Sequence, residues 1–389
     1  MTTEKIRVCA FTYYFPPHFS GAGLYALSLA KELASRGVQL FFITVDNTNL
    51  PRVDRQQGFD VYRIADGPRK HGELILWWNL WRKLFSKRHR FDIIHAFGST
   101  YRNSAVGPIA RSLGKRSLTT VSMAQNDLYQ IGRSAAGRVQ ARLLSCVDRY
   151  VSLSHQITEE IRQLPLDGRK AVEIPQGVDT HRFHPADAGE KNDLRNRLGL
   201  PMGPMALYVG VLDSRKNVEW LVKTWARQRT IVSGWRLVLV GPSSRDRRDS
   251  GLRDALKDFV TKERLEGEIL FREFSPSIED YYRAANIFIL PSRNEGMPNV
   301  VLEAMASGLP CVVTKISGVT DLIAHQDSGM LFDLNYEDSF LSAIKPLVAE
   351  SAVRERIGAR AAATIRERFS VTKVADRYLN LYQEILEGH

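Results

Sequence analysis

The sequence predicts an α/β protein with two Rossmann-like, doubly wound domains that face each other across a cleft. Its 389 residues exceed one ordinary core, because a domain usually takes about 100–200 residues. Short β-rich runs alternate with helical patterns, which is typical of a parallel sheet covered by helices on both faces. The alternation begins a second time after a polar stretch at 184–203. We therefore predict domains at 1–188 and 189–370.

The strand-like runs occur in two series. The first series is IRVCAFTYYF, VQLFFITV, FDIIHAF, SLTTVSM and DRYVSLS. The second is MALYVGVL, WRLVLVGPSS, EILFREF, NIFILPS, PCVVTKIS and GMLFDL. Helical patterns such as GLYALSLAKELASRG and NVEWLVKTWARQR lie between the strands. From residue 335 to the end the pattern is helical throughout.

The composition is that of an ordinary globular protein, with 44% hydrophobic and 25% charged residues. Cys9, Cys146 and Cys311 lie far apart and lack the spacing of metal ligands, so neither a disulfide framework nor a zinc site is expected. The N-terminal run lacks the features of a signal peptide, and no apolar run reaches the roughly 18 residues of a spanning helix. We expect a cytoplasmic protein, either free in solution or peripheral on the inner face of a membrane.

The net charge of +11 is unevenly distributed. Residues 1–183 hold 26 lysines and arginines against 15 acidic residues, whereas the remainder holds 28 of each. Such asymmetry indicates an anionic partner for the first half, namely membrane lipid, nucleic acid or a phosphorylated substrate. Solubility alone is the alternative. No recognised motif supports nucleic acid, so we expect no nucleic-acid partner.

Two glutamates eight positions apart, Glu295 and Glu303, occur in the stretch SRNEGMPNVVLEAMASGLPCVVT at 292–314. A single continuous helix would place their side chains about 80° apart. We predict instead that the strand NIFILPS opens into a loop, that Pro298 begins a helix and that Gly308 ends it. Both carboxylates then face the crevice above the strand ends, where open α/β sheets bind ligands.

The helix start between the glutamates has the chemistry of a nucleotide site. Backbone N–H groups near Asn299 and Val300 and the positive end of the helix dipole suit a phosphate. A carboxylate at Glu303 can accept hydrogen bonds from the diol of a ribose. The alternative is that Glu295 and Glu303 are ordinary helix charges in solvent, and their spacing alone does not decide.

The run EGMPNVVLEAMASGLP resembles the E-x7-E signature of retaining glycosyltransferases with the GT-B fold, in particular glycosyltransferase family 4. The similarity covers nearly the whole chain. Further stretches that resemble the family occur in the same order: FSGAG at 19–23, DIIH at 92–95, VSLS at 151–154, IPQGVD at 174–179 with Phe183 and Pro185, GVLDSRKN at 210–217, and ANIFILPS at 285–292.

The resemblance implies a division of labour between the domains. In that family the second domain binds the nucleotide sugar, the first binds the acceptor, and the last helix, here 371–389, returns to the first. By this resemblance Glu303 holds the ribose and Glu295 contacts hydroxyls of the donor sugar. The other residues expected at the donor in this segment are Gly296, Met297, Pro298, Asn299 and Val300.

Basic residues and glycines supply further candidates. Arg215 and Lys216, near Gly210, stand after the strand ALYVGVL, where the family places cations on the donor diphosphate. Cations there would stabilise the departing diphosphate, and a solvated turn is the alternative. Gly21 and Gly23 permit close backbone approach at a helix start, which suits donor phosphates or the acceptor. A plain tight turn is the alternative.

Two features depart from the family pattern. Val211 stands where many members carry an arginine, and Arg215 is a candidate to replace that charge. Many members also have a histidine after the strand SLTTVSM, but this chain has none between His95 and His155. Both histidines follow strand-like runs, and a hydrogen-bonded structural role is favoured for each. The candidates for the missing histidine's space are Ser122, Asn126 and Asp127.

The stretch LILWWNLWRKLFSKRHRF at 74–91 predicts a helix with one apolar stripe and basic neighbours. We favour packing of this stripe on the first sheet, and an interfacial helix on anionic lipid is the alternative. The stripe consists of Leu74, Trp77, Trp78, Trp81, Leu84 and Phe85, and the basic residues are Arg82, Lys83, Lys87, Arg88 and Arg90.

Together with these observations, the resemblance implies a retaining hexosyltransferase for cell-surface polysaccharide or glycolipid biosynthesis. It would move a hexose or N-acetylhexosamine from a nucleotide diphosphate sugar, UDP-sugar in preference to GDP-sugar, to a glycan or lipid-linked acceptor. No cofactor is expected beyond this co-substrate. The resemblance implies no metal, and the sequence has no Asp-x-Asp. The alternative is a nucleotide-binding module of the same shape without turnover, suggested by Val211 and the absent histidine.

Overall fold

The computed structural model describes residues 5–17, 21–46, 50–66, 72–98, 100–122, 131, 135–244, 246–334 and 336–388. Backbone contacts divide the chain into two compact units, one of residues 1–177 with 371–389 and one of residues 178–370. The second unit therefore begins at residue 178, and the predicted boundary was residue 188. Within the second unit, the rings of Phe183 and Tyr282 pack with centroids 5.8 Å apart.

The first unit contains one sheet, in which the described strands are parallel except at one edge. They are β1 Arg7–Thr12, β2 Gln39–Asp46, β3 Val53–Gln56, β4 Phe59–Ala65, β5 Ile93–Phe97, β6 Arg116–Val121, β7 Arg149–Ser152 and β8 Ala171–Glu173. Their order is β3-β4-β2-β1-β5-β6-β7-β8, with β3 antiparallel to β4. The predicted series omitted β3, β4 and β8. Strand β3 carries charged side chains at an exposed edge and offers little apolar periodicity.

The second unit contains a smaller sheet whose described strands are all parallel. They are β9 Met205–Val209, β10 Arg236–Val240, β11 Ile269–Arg272, β12 Ile287–Leu290, β13 Cys311–Thr314 and β14 Met330–Phe332. Their order is β11-β10-β9-β12-β13-β14. All six strands correspond to predicted runs. Every residue of β9, β12 and β13 is buried, and so is every residue of β10 after the first. The predicted pair of Rossmann-like α/β domains is confirmed.

The described helices connect these strands. They are α1 Gly21–Ser35, α2 Gly72–Ser86, α3 Thr100–Asn103, α4 Val106–Ser112, α5 Ala135–Leu144, α6 His155–Arg162, α7 Ala188–Leu198, α8 Val218–Arg227, α9 Leu252–Lys262, α10 Ile278–Ala284, α11 Asn299–Ala306, α12 Glu337–Ala349, α13 Ser351–Thr364 and α14 Val371–Glu387. A π-helical turn covers Ile365–Phe369. The helical pattern predicted beyond residue 335 is interrupted at Glu350 and Ser370, whose backbones are extended.

The last helix, α14, belongs to the first unit and packs on α1. Its Tyr382 hydroxyl lies 2.7 Å from His95 Nδ1, and His95 Nε2 lies 2.8 Å from Thr120 Oγ1. Burial holds the pKa of His95 well below its usual value, so the ring is neutral. The structural role favoured for His95 is confirmed. His155, by contrast, has a side chain that is 69% exposed, with Nδ1 3.7 Å from Glu173.

Helix α2 corrects the predicted apolar stripe. It ends at Ser86, and its buried side chains are Leu76, Leu80 and Leu84. The helix therefore packs on the sheet as favoured. Leu84 of the predicted stripe belongs to the buried face, but the prediction missed Leu76 and Leu80. Of the predicted stripe, Trp77 and Trp81 lie partly buried against the core, whereas the outward members are Leu74, Trp78 and Phe85.

Candidate active site

The segment with the two glutamates has the predicted strand, loop and helix. Strand β12 ends at Leu290, Glu295 lies in the following loop, and Glu303 lies in α11. Pro298 is the N-cap of α11, whose first turn has no charged side chain to offset the helix dipole. Gly308 follows the helix with φ +73°, a conformation that favours glycine, and donates its N–H to the Met305 carbonyl.

Glu295 is the centre of a buried ion cluster. Only 7% of its surface is exposed. Its Oε1 lies 2.6 Å from Lys216 Nζ and 3.1 Å from Arg215 Nη1. Arg215 also donates to the Asn294 carbonyl at 3.2 Å, and the Arg293 N–H donates to the Arg215 carbonyl at 2.9 Å. The loop after β9 and the loop after β12 are thereby joined through side chains and backbone.

The two cations determine the charge of Glu295. Burial by itself raises the pKa of this carboxyl, but Lys216 and Arg215 outweigh burial, so the pKa lies below its ordinary value. Lys216 is itself buried, with 8% of its surface exposed. Asp213 Oδ2 also lies 4.0 Å from Arg215 Nη2, so the two cations face two carboxylates, Glu295 and Asp213.

Glu303 has a different environment. Its Oε2 accepts a hydrogen bond of 2.8 Å from the Tyr282 hydroxyl. Burial raises the pKa of Glu303 to about 7, although Tyr282, Arg182 and Lys216 act to lower it. Lys216 therefore interacts electrostatically with Glu303 as well as touching Glu295. Both glutamates are thus within electrostatic range of one cation, but only Glu295 touches it.

Backbone contacts that the sequence did not reveal support this site. A Cβ on Gly318, which has φ +74°, would lie 1.2 Å from the Gly296 carbonyl oxygen. A Cβ on Gly241 would lie 1.9 Å from the Gly210 carbonyl oxygen. Side chains at 241 and 318 would therefore displace the loops that carry Lys216 and Glu295. Both glycines follow strands, which is the available sequence signal, but a glycine there also suits a plain turn.

Asn217 is a further site residue that the predictions missed. It adopts φ +57° at the N-cap of α8, and its Oδ1 accepts from Arg293 Nη2 at 2.9 Å. Only 5% of its surface is exposed, and its Nδ2 donates to no atom of the described residues. An unused amide donor beside Lys216 suits a ligand oxygen.

Gly21 begins α1, and a Cβ on Gly23 would lie 2.5 Å from the Tyr14 carbonyl oxygen, so Gly23 allows α1 to approach the loop after β1. Ser122 directly follows β6. Asn126 and Asp127 lie outside the described residues. Asp127 stays a prediction.

The described part of the chain contains no group of three or more His, Cys, Asp or Glu side chains placed to hold a metal ion. It also contains no helix long and apolar enough to cross a bilayer.

Family models match both halves of the chain. The model for a glycosyl transferase 4-like domain matches residues 20–177, and that for glycosyl transferases group 1 matches residues 203–350. The second match contains Arg215, Lys216, Glu295 and Glu303, the cluster just described. The chain is a family 4-like glycosyltransferase of the GT-B fold.

Curated relatives of this glycosyltransferase act on several substrates. A protein of Escherichia coli named UDP-Gal:alpha-D-GlcNAc-diphosphoundecaprenol alpha-1,3-galactosyltransferase is 27% identical over 315 residues, 77% of each chain. An N-acetyl-alpha-D-glucosaminyl L-malate synthase of Bacillus anthracis is 21% identical, with 95% of each chain covered.

Solved structures share the fold of this glycosyltransferase. Sucrose-phosphate synthase from Thermosynechococcus elongatus has a TM-score of 0.81 at 21% identity, covering 98% of this chain and 100% of that one. HepE of Anabaena in complex with UDP-glucose has a TM-score of 0.79 at 18% identity, covering 97% and 100%.

Gly318→Ala should disturb the loop that carries Glu295. Gly234→Ala is a matched control, because Gly234 also has a positive φ, +79°, but nothing lies within 4 Å of its Cβ position. Each substitution should lower the free energy of unfolding by about 1–2 kcal/mol, because alanine is unfavourable in a left-handed backbone conformation. The clash with Gly296 should add roughly 1–3 kcal/mol at Gly318 alone. Urea unfolding of the two variants measures the difference, and equal losses would contradict the contact.

Glu303→Gln tests the raised pKa. A carboxyl whose pKa is higher in the folded state than in the unfolded state favours folding when protonated, and its ionisation opposes folding as the pH rises. Burial has raised this pKa from 4.5 to about 7. The stability of the variant relative to wild type should therefore increase by roughly 1–3 kcal/mol between about pH 5 and pH 8. Urea unfolding at both pH values measures it, and a constant difference would show that the pKa is ordinary.

Proposed function

We propose that this glycosyltransferase is a retaining, metal-independent hexosyltransferase that uses a nucleotide diphosphate sugar. It transfers a hexose or N-acetylhexosamine to a glycan or lipid-linked acceptor in cell-surface polysaccharide or glycolipid biosynthesis. The observation that carries the proposal is the ion cluster of Lys216, Arg215 and Glu295 beside the half-buried carboxyl of Glu303.

The donor diphosphate would bind at the two cations. Lys216 is buried in the loop that follows β9, and one carboxylate oxygen lies 2.6 Å from its Nζ. An arriving diphosphate offers it stronger, doubly charged partners, and the N–H groups at the start of α11 and the amide of Asn217 add donors for the same oxygens. Glu295 would then be released from Lys216 to accept hydrogen bonds from hydroxyls of the donor sugar.

Glu303 would hold the ribose. Its Oε2 already accepts one hydrogen bond from Tyr282, and a carboxylate has capacity for further donors. A vicinal diol supplies two of them. UDP-sugar is favoured over GDP-sugar because the relative in Escherichia coli is named for UDP-Gal and the Anabaena structure holds UDP-glucose.

The reaction would proceed on one face of the sugar, which retains the anomeric configuration. The bond between the anomeric carbon and the diphosphate oxygen breaks, and the acceptor oxygen forms its bond to that carbon from the same side. The acceptor proton passes to the departing phosphate oxygen, so no protein base is required and the absent histidine is explained. Lys216 and Arg215 stabilise the negative charge that develops on that oxygen.

The acceptor would bind in the first unit, and the glycosyl transfer would take place in the cytoplasm. A lipid-linked acceptor is favoured by the name of the same Escherichia coli relative, which specifies a diphosphoundecaprenol. A cytoplasmic location agrees with the three unpaired cysteines, Cys9, Cys146 and Cys311.

Lys216→Met tests the role of the buried cation. The charge acts most strongly as the diphosphate departs, so kcat should fall by about 10²–10³-fold with a smaller change in KM. Lys223→Met is the control, because Lys223 lies in α8, the helix that follows Lys216, but pairs in solvent with Glu219. Release of UDP from UDP-sugars with candidate acceptors provides the rate, and the proton NMR coupling at the anomeric carbon of the product provides the stereochemistry.

Three outcomes would contradict the proposal. An inverted product would exclude retention. Loss of activity with EDTA that is restored by a divalent cation would exclude metal independence. A protein that binds UDP but neither transfers nor hydrolyses any sugar would be the binding module without turnover.

A further inference from the structure

Helix α2 has a second apolar face that the fold buries only in part. Its inner face consists of Leu76, Leu80 and Leu84, each with no exposed surface. An α-helix turns by about 100° per residue, so side chains at i, i+4, i+7 and i+11 form one stripe. A second apolar stripe has this spacing, and we call it the outer stripe: Leu74, Trp78, Trp81 and Phe85. Leu74, Trp78 and Phe85 are exposed, and Trp81 between them is partly buried against the core.

The outer stripe is ordered and open. Leu74, Trp78 and Phe85 are 62%, 58% and 43% exposed. The rings of Trp78 and Trp81 stack with centroids 5.3 Å apart, and those of Trp81 and Phe85 stack at 5.2 Å. Large aromatic side chains grouped this way on a surface mark an interaction site. The stack holds them in place before any partner arrives.

Cations lie beside the outer stripe. The Arg88 guanidinium lies 4.3 Å from the centre of the Phe85 ring. Arg82 lies on the exposed side of α2, whereas the ammonium groups of Lys83 and Lys87 lie over the Tyr62 ring, 5.2 and 4.8 Å from its centre. Within the described part of the chain, Arg82 and Arg88 form no ion pair with a carboxylate. Arg88 therefore places positive charge at the aromatic rings, and Arg82 adds an exposed charge on the same helix.

The chemistry of this surface selects one occupant. Aromatic side chains on a helix with adjacent lysines and arginines are suited to the boundary between lipid headgroups and acyl chains, where the cations meet anionic headgroups. A second copy of the chain is a poor fit, because a two-fold contact would place the same cations opposite each other. We propose that the outer stripe of α2 and its cations bind the surface of a bilayer containing anionic lipid.

The position of α2 connects this surface with the edge of the first sheet. Trp77, next to the outer stripe, donates its indole N–H to the Arg102 carbonyl at 3.1 Å. The Arg102 guanidinium donates to the Tyr13 hydroxyl at 2.7 Å and pairs with Asp66 at 3.2 Å. Tyr13 and Asp66 directly follow β1 and β4, so a bilayer on α2 would lie close to the carboxyl ends of these strands. That such an approach would present a lipid-linked acceptor rests on the proposed function.

Vesicle sedimentation with the full chain tests this proposal without any nucleotide, so its result stands apart from that of the donor experiments. Wild type should bind vesicles of phosphatidylcholine mixed with phosphatidylglycerol, should bind phosphatidylcholine alone much less, and should be released by salt. Trp78→Gln with Phe85→Gln should weaken binding by about tenfold or more. Arg82→Gln with Arg88→Gln should do the same, since each cation contributes about fivefold.

Matched controls lie in the second unit. Met202→Gln with Tyr336→Gln removes two apolar side chains that are 56% and 68% exposed, and Lys257→Gln with Lys262→Gln removes two exposed cations. Both pairs should bind vesicles as wild type does. Wild type that ignores anionic vesicles, or α2 variants that bind as well as their controls, would overturn the proposal. So would a dimer in light scattering that Trp78→Gln with Phe85→Gln dissociates, because the stripe would then face a second copy.

Discussion

The candidate active site depends on one buried contact, that between the Glu295 carboxylate and the Lys216 ammonium. Neither charge would be stable at its position alone, because leaving one member of a buried ion pair without its partner costs about 3–5 kcal/mol. The contact fixes the loop after β9 against the loop after β12, and Arg215 adds a second cation and a backbone hydrogen bond to the same junction. The site is therefore formed before a donor binds. Glu295 occupies the position beside Lys216 that the donor diphosphate would take.

The fold supplies this contact through close backbone packing. The parallel order β11-β10-β9-β12-β13-β14 places the ends of β9 and β12 side by side, so the residues that follow them meet. Gly241 and Gly318 let neighbouring carbonyls approach so closely that no side chain fits. Helix α11 begins at the same edge and directs its N-terminus there. Glu295 and Glu303 are close in sequence but differ in environment. Two cations lower the pKa of Glu295 in the loop after β12, whereas burial raises the pKa of Glu303 in α11.

The strongest sequence predictions came from residues whose chemistry and spacing constrain the backbone directly. Pro298, Gly308 and the two glutamates specify a loop and a helix, and the structure has both. Tyr282 and Gly318 were missed because a tyrosine in a helix and a glycine after a strand have many ordinary uses. For α2, periodicity predicted a helix and its buried Leu84 but missed Leu76 and Leu80, since a helix that is apolar on two sides gives no signal for which side meets the sheet. The role of His95 depended on Tyr382, 287 positions along the chain, and such a contact is visible only in the fold.

The most direct test of the account is isothermal titration of UDP, GDP and ADP into wild type, Glu303→Ala and the exposed-glutamate control Glu219→Ala. It should be done above pH 7, where Glu303, whose pKa is about 7, is ionised. The account predicts that UDP binds wild type and the control equally, and that Glu303→Ala weakens it by about ten- to a hundredfold, because hydrogen bonds to a charged group are lost. If no nucleotide binds, or if Glu303→Ala binds UDP as tightly as wild type, the cluster of Lys216, Arg215, Glu295 and Glu303 is not the donor site.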